Sequence, residues 1–190
     1  MPLRRVTLGE TFESVLGAAR TGEQWAWEEI YRDLAPFVLG YLRARGAAEP
    51  DDLTGEVFLQ LVRDLSRFEG GERDFRSWAF TVAHHRLLDE RRRRGRRPVE
   101  PAPVHEIADQ QAGGNVEDEA IARIEEQQIR RVLARLSSDQ QSVILLRVLG
   151  DLTVEQVATV LGKSPGAVKA LQRRGLAALK RELSKIGATL

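Results

Sequence analysis

Lys169, Arg173 and Arg174 fall on the outer face of a segment, Leu152 to Leu171, whose small and apolar residues sit where a helix-turn-helix needs them. Lysine and arginine there can contact phosphates or the edges of guanine bases. Ala158 is small where two crossing helices must approach closely. Gly162 stands where the turn needs a left-handed backbone, and Val168 and Leu171 face back onto the first helix. The second helix opens at Ser164-Pro165, a capping residue followed by a proline whose missing N–H costs nothing in the first turn. Ser164 and the backbone N–H groups beside it can hold a phosphate. The pattern points to duplex DNA, read by the second helix in a major groove. A purely structural hairpin would bury the same Ala, Val and Leu, but it has no need of three basic groups facing away from its partner.

Other residue types exclude more than they suggest. The 190 residues contain no cysteine, which removes disulfides, thiolate metal sites and thiol nucleophiles. His84 and His85 are neighbours that a helix would point about 100° apart, and His105 lies in a segment expected to be a linker. A shared metal is therefore not expected. No nucleophile motif, phosphate loop or carboxylate-rich metal sequence is present, so neither enzymatic activity nor a cofactor is expected. The formal net charge of +1 conceals strong segregation: Arg91 to Arg97 is a dense cationic block, and Glu100 to Glu126 is strongly acidic. No apolar run approaches the roughly 20 residues that cross a bilayer. The N-terminal residues lack the apolar segment of a secretory signal, so a cytoplasmic protein is expected.

The elements that must carry these groups read as helices throughout, and an all-α fold of two small helical domains is expected. From Trp25 to Ala44, Trp27, Ile30, Tyr31, Leu34, Phe37, Val38, Tyr41 and Leu42 recur at three- and four-residue steps, with Pro36 a candidate kink. A second helix is predicted from about Asp51 to Phe68, with Leu53, Val57, Phe58, Leu61, Val62 and Leu65 inside and Gly70-Gly71 after it. A third begins near Asp74 or Phe75 and runs through Trp78, Val82, Leu87 and Leu88 into the arginine block. These form one domain over residues 8–96. Residues 97–117 are too rich in proline, glycine and polar groups to order themselves, and read as a flexible acidic linker. A second domain over 118–186 holds a helix from Glu119 to Leu136, a helix from Ser138 to Leu149, and the helix-turn-helix.

Three motifs, in this order, resemble the extracytoplasmic-function group of bacterial RNA polymerase sigma factors, and the likeness covers nearly the whole chain. Asp51-Asp-Leu-Thr-Gly-Glu-Val-Phe-Leu-Gln-Leu61 is similar to the helix by which that family docks on the clamp helices of the largest polymerase subunit. Phe75 to Arg91 resembles the helix that opens and reads the minus-10 promoter element. Leu136 to Arg147, with the helix-turn-helix, resembles the domain that reads the minus-35 element and holds the polymerase flap.

The resemblance implies residue roles. Docking on polymerase would fall to Asp51, Asp52, Leu53, Glu56, Phe58 and Leu59. Minus-10 recognition would fall to Arg73, Arg76, Thr81, His84, His85 and Arg86, with Trp78 and Phe80 expected in the core. Minus-35 recognition would fall to Lys163, Ser164, Pro165, Lys169, Ala170, Arg173 and Arg174. Thr81, His85 and Ala170 stand where the family often has arginine, asparagine and serine, so the promoter letters do not carry over. Gly55 interrupts the docking helix at a cost of up to ~1 kcal/mol relative to alanine. The implied partners are core polymerase, promoter DNA and an inhibitory anti-sigma factor. The rival reading is a helix-turn-helix regulator that binds DNA without polymerase, which leaves the arginine block and the second motif unexplained.

Overall fold

The computed structural model describes residues 8–96, 129 and 131–185, and among them every regular element is a helix. After a 3-10 turn at Gly9–Thr11, the N-terminal half comprises α1 (Phe12–Arg20), α2 (Gln24–Ala44), α3 (Pro50–Asp64) and α4 (Glu72–Arg96), with a second 3-10 turn at Leu65–Arg67. The C-terminal half comprises α5 (Ser138–Val148), α6 (Val154–Leu161) and α7 (Pro165–Lys185). The segment expected as a linker and most of the helix expected from Glu119 lie outside the described residues.

Local chemistry sets the boundaries. Pro50 occupies the first turn of α3, where its lost donor has no intrahelical partner. α2 continues through Pro36, which sits on its exposed side. α4 starts earlier than expected because its first turn is anchored from both directions. The Glu72 carboxylate accepts the backbone N–H groups of Leu8 and Gly9, both at 3.0 Å, and Asp74 accepts the N–H of Gly71 at 3.1 Å. Capping boxes open α5 (Ser137 with Gln140) and α6 (Thr153 with Gln156), each satisfying two donors that a helix start leaves free. Gly162 ends α6 in the left-handed region at φ 61°, as the turn requires.

Packing follows the periodicity. Phe75, Ala79, Phe80, Ala83 and Leu87 form the buried face of α4, and Val38, Tyr41 and Leu42 that of α2. Each such large side chain contributes about 1.5 to 3 kcal/mol by leaving water. Two residues assigned to the interior by spacing are exposed instead: Tyr31 (50%) and Val62 (48%). Both lie at the margin of their helical stripe, where the facing helices diverge into a groove. In the C-terminal half, a Cβ on Gly175 would come within 2.6 Å of Ile144 Cδ1, so the bare backbone lets α7 lie close against α5.

The two halves touch. Phe80 of α4 packs beneath Gly150, Leu149 lies against Gly40 of α2, and α6 rests on α4. Arg45, only 4% exposed, sends its guanidinium into the start of α5, donating to the Ser138 carbonyl at 3.0 Å, Ser138 Oγ at 2.9 Å and Gln141 Oε1 at 2.8 Å.

Candidate nucleic-acid interface

The basic face of α7 is a consequence of how that helix is seated. Val168 is fully buried and Gly175 faces α5, which turns Lys169 and Arg173 outward on one side, four residues apart. Arg174 is exposed as well, and its Nε donates to the Ala170 carbonyl at 3.3 Å. Ser164 Oγ accepts the N–H of Ala167 at 3.2 Å, and Pro165 follows as the first helical residue. Lys163 Nζ pairs with Asp139 at 2.8 Å, bracing the turn against α5. Ala170 is half-buried.

The residues expected along α4 divide by helix face. Arg73 and His85 are exposed, while Thr81 is half-buried and its hydroxyl donates to the Ser77 carbonyl at 2.8 Å. Arg86 reaches across to α3, bonding Gln60 at 3.1 Å and approaching Glu56 at 3.4 Å. Arg76 and His84 do not face solvent. Arg76 is ion-paired with buried Asp33 at 2.9 Å and lies 5.6 Å from the Phe37 ring centroid. His84, 6% exposed, shares a 2.8 Å hydrogen bond with the Tyr41 hydroxyl. Both stand four residues from Phe80 on the core side, where each is engaged by a partner within the fold.

Burial also sets the protonation of His84, Asp33 and Tyr41. Desolvation, reinforced by the Arg45 charge and by His85, pulls the His84 imidazole down to about 4. Desolvation raises the Asp33 carboxyl to about 6 against the opposing pull of Arg76, and one of its oxygens has no hydrogen-bond partner. The Tyr41 hydroxyl is pushed up to about 12, chiefly by burial.

Beside the exposed part of α4 lies a pocket of about 660 Å³ whose walls include Phe68, Glu69, Asp74, Trp78 and Thr81. Phe68 and Trp78 stack at 5.2 Å with planes 13° apart, and Trp78 is half-buried, so one aromatic edge belongs to the core and the other to the pocket. Gln156, from α6, closes the wall.

A second concavity, about 940 Å³, runs between α2 and α3 and is lined mainly by Trp27, Tyr31, Leu39, Phe58, Leu59 and Val62. Of the residues expected on this docking helix, Leu53 (4%) and Phe58 (6%) are core residues. Leu59, at 57% exposure, is the free apolar group. Asp51 pairs with Arg43 at 3.1 Å on the rim, Asp52 is exposed, and Glu56 is half-buried beside Arg86. Spacing alone did not single out Tyr31, Val62 or Gln156. The exposed apolar pair sits where two buried stripes end, and Gln156 carries a capping signal that hides a second contact. Among the described residues no cluster of acidic groups and histidines is arranged to hold a metal, and no helix is long and apolar enough to cross a membrane. His105 lies outside the described residues.

Comparison with known proteins adds the family. Residues 30–97 match Sigma-70 region 2 and residues 126–179 match Sigma-70, region 4. The chain is 31% identical over 191 residues to the ECF RNA polymerase sigma factor SigD of Mycobacterium tuberculosis, spanning 94% of this chain and 87% of that one. Its fold is similar to that in the structure of CnrH in complex with the cytosolic domain of CnrY, with a TM-score of 0.66, 21% identity and coverage of 93% and 99% of the two chains. It is also similar to the sigma factor RpoE in complex with the anti-sigma factor NepR from Bartonella quintana, with a TM-score of 0.60, 19% identity and coverage of 83% and 96%. With both regions matched in order and a relative covered over most of its length, the chain belongs to the ECF RNA polymerase sigma factors.

Proposed function

We propose that this sigma factor joins core RNA polymerase through the α2–α3 groove, traps the melted minus-10 strand beside Trp78, and reads the minus-35 element with α7. As a sigma factor it is a transcription initiation factor and not an enzyme, and bond-making stays with the polymerase. The observation that carries the reading is the separation of chemistries on one chain. A basic helix face suits duplex phosphate and guanine, whereas an apolar groove with an acidic rim suits a protein. Lys169, Arg173 and Arg174 face the duplex, and the start of α7 at Ser164 seats a phosphate. An unstacked base entering the Trp78 pocket would gain about 1 to 3 kcal/mol of stacking. Arg73 and His85 would lie along the strand, with Thr81 in the pocket wall.

Leu59, Val62 and Tyr31 supply the apolar anchor for the polymerase clamp, and Asp51 and Asp52 its acidic rim. The C-terminal half also holds the polymerase flap. The chain works in the cytoplasm, where promoters are, and an anti-sigma factor covering these surfaces holds it inactive. A regulator acting without polymerase is not favoured, because family membership is shown by both regions. The test is reconstitution with bacterial core polymerase and sequencing of transcript 5′ ends across a genome. The expected result is a discrete set of new starts sharing two upstream elements. Failure of the purified chain to bind core enzyme would overturn the reading.

A further inference from the structure

We propose that residues 8–20, which precede the stretch 30–97 that matches Sigma-70 region 2, brace the Trp78 pocket from behind, with Arg20 as the residue that positions its loop. The inference rests on the reading of that pocket as the place where an unstacked base is held.

The loop runs from Phe68 to Gly71, between the 3-10 turn at Leu65–Arg67 and α4, and its first half, Phe68 and Glu69, lines the pocket. A connecting loop has no ladder of backbone bonds to fix it, so side chains from other elements must set its shape. Two ties from the N-terminal segment do so. At one end Arg20, the last residue of α1, donates from Nη2 to the Phe68 carbonyl at 2.6 Å. At the other end Glu72 accepts the N–H groups of Leu8 and Gly9, each at 3.0 Å and each on its own carboxylate oxygen. Asp74 secures the second half of the loop by accepting the Gly71 N–H at 3.1 Å. The half that faces the pocket is where Arg20 acts, through a bond strengthened by its charge.

Between the two ties runs a line of rings. Phe12 of α1 meets Phe75 at 5.9 Å, Phe75 meets Phe68 at 5.3 Å with planes 89° apart, and Phe68 stacks on Trp78. Rings packed edge to face fix one another's orientation as well as position. A shift of α1 would therefore turn the Phe68 ring, and with it the wall that a base meets.

A wall already in place costs nothing to order when the base arrives, and a rigid wall separates one base from another because a wrong base cannot reshape it. Arg20 is thus a positioning residue, acting on the strand through Phe68. Its own side chain is exposed, while Phe12, Val15, Leu16 and Ala19 bury the other face of α1, so replacing it leaves the core intact.

The test uses the full chain in holoenzyme, bound to fork-junction DNA that carries each of the four bases in turn at each minus-10 position. Trp78→Ala identifies the pocket position as the one whose base preference it removes. At that position Arg20→Gln should lower the preference on the order of tenfold, the loss expected for one charge-assisted hydrogen bond felt at capture. Arg20→Lys, which keeps a charged donor, should restore most of it. The preferences at other positions and the slope of log affinity against log salt should not move. Uniform weakening for all four bases, with the slope reduced by about one counterion, would make Arg20 a phosphate contact and overturn the brace. An unchanged preference in folded Arg20→Gln overturns it as well. Glu72→Gln, which weakens the second tie, should lower the same preference, and it decides the matter if Arg20→Gln does not fold. A wild-type holoenzyme with no position sensitive to Trp78→Ala overturns the reading of the pocket itself, and the brace with it.

Discussion

The Tyr41 hydroxyl and His84 Nδ1 meet at 2.8 Å in the middle of the N-terminal half, with both side chains out of solvent. The imidazole stays neutral in the folded chain down to about 4, whereas in the unfolded chain it takes up a proton near 6.5. Between those values the unfolded chain binds more protons, so stability falls as pH drops. The His84 contribution is complete above pH 6.5 and is lost on the way to pH 4, amounting to about 3 kcal/mol.

Asp33 works in the opposite sense. Its folded carboxyl titrates near 6 against 3.8 unfolded, so the folded chain holds the extra proton between those values and gains stability as pH falls. The two slopes oppose each other between about pH 4 and 6. Denaturant unfolding as a function of pH should therefore show a shallow wild-type profile in that window and a steeper acid loss in Asp33→Asn. A variant profile parallel to wild type would mean that Asp33 does not titrate there.

Arg173→Ala should lower discrimination at one base pair of the upstream element by about 1 to 3 kcal/mol. Lys169→Ala should weaken binding across sequences and reduce the salt dependence by about one counterion. Filter-binding of holoenzyme to promoter variants at several salt concentrations separates the two. Both variants should keep wild-type affinity for core polymerase.

Leu59→Asp should cost about 2 kcal/mol in association with core polymerase while leaving stability within about 0.5 kcal/mol, because the side chain is already in water. Gly55→Ala supplies the complement. A Cβ at Gly55 meets nothing within 4 Å and points to open space at the groove wall. The substitution should stabilise α3 by up to ~1 kcal/mol and weaken polymerase binding by narrowing the groove. Thermal melting and a competition assay check the two halves of that expectation.

Two glycines should differ in cost. At Gly162 the penalty of alanine is the left-handed backbone, about 1 kcal/mol. At Gly150 a Cβ would come within 2.6 Å of the Leu146 carbonyl oxygen, a backbone atom that cannot swing aside, so alanine should cost about 1 to 3 kcal/mol. Midpoints of chemical denaturation should fall in that order.

Most of the helix layout and the turn at Gly162 were legible because periodicity, capping residues and glycine are local signals. The C-terminal basic face followed for the same reason, since Val168 at the core side sets where Lys169 and Arg173 must point. What spacing could not say is which of two polar groups on a helix finds a buried partner. Arg76 and His84 look like strand-binding groups until Asp33 and Tyr41, both 43 residues earlier, are brought beside them. On α3 the motif marks Leu53, Phe58 and Leu59 alike, and only the divergence of α2 and α3 decides that Leu53 and Phe58 turn into the core while Leu59, with Val62, stands exposed at the groove.

The Gln156 amide serves two masters with its two ends, oxygen toward Thr153 and nitrogen toward Arg73. A single amide thus both starts α6 and seats it on α4, so a substitution at Gln156 would fray the first turn of α6 and loosen its footing on the N-terminal half together.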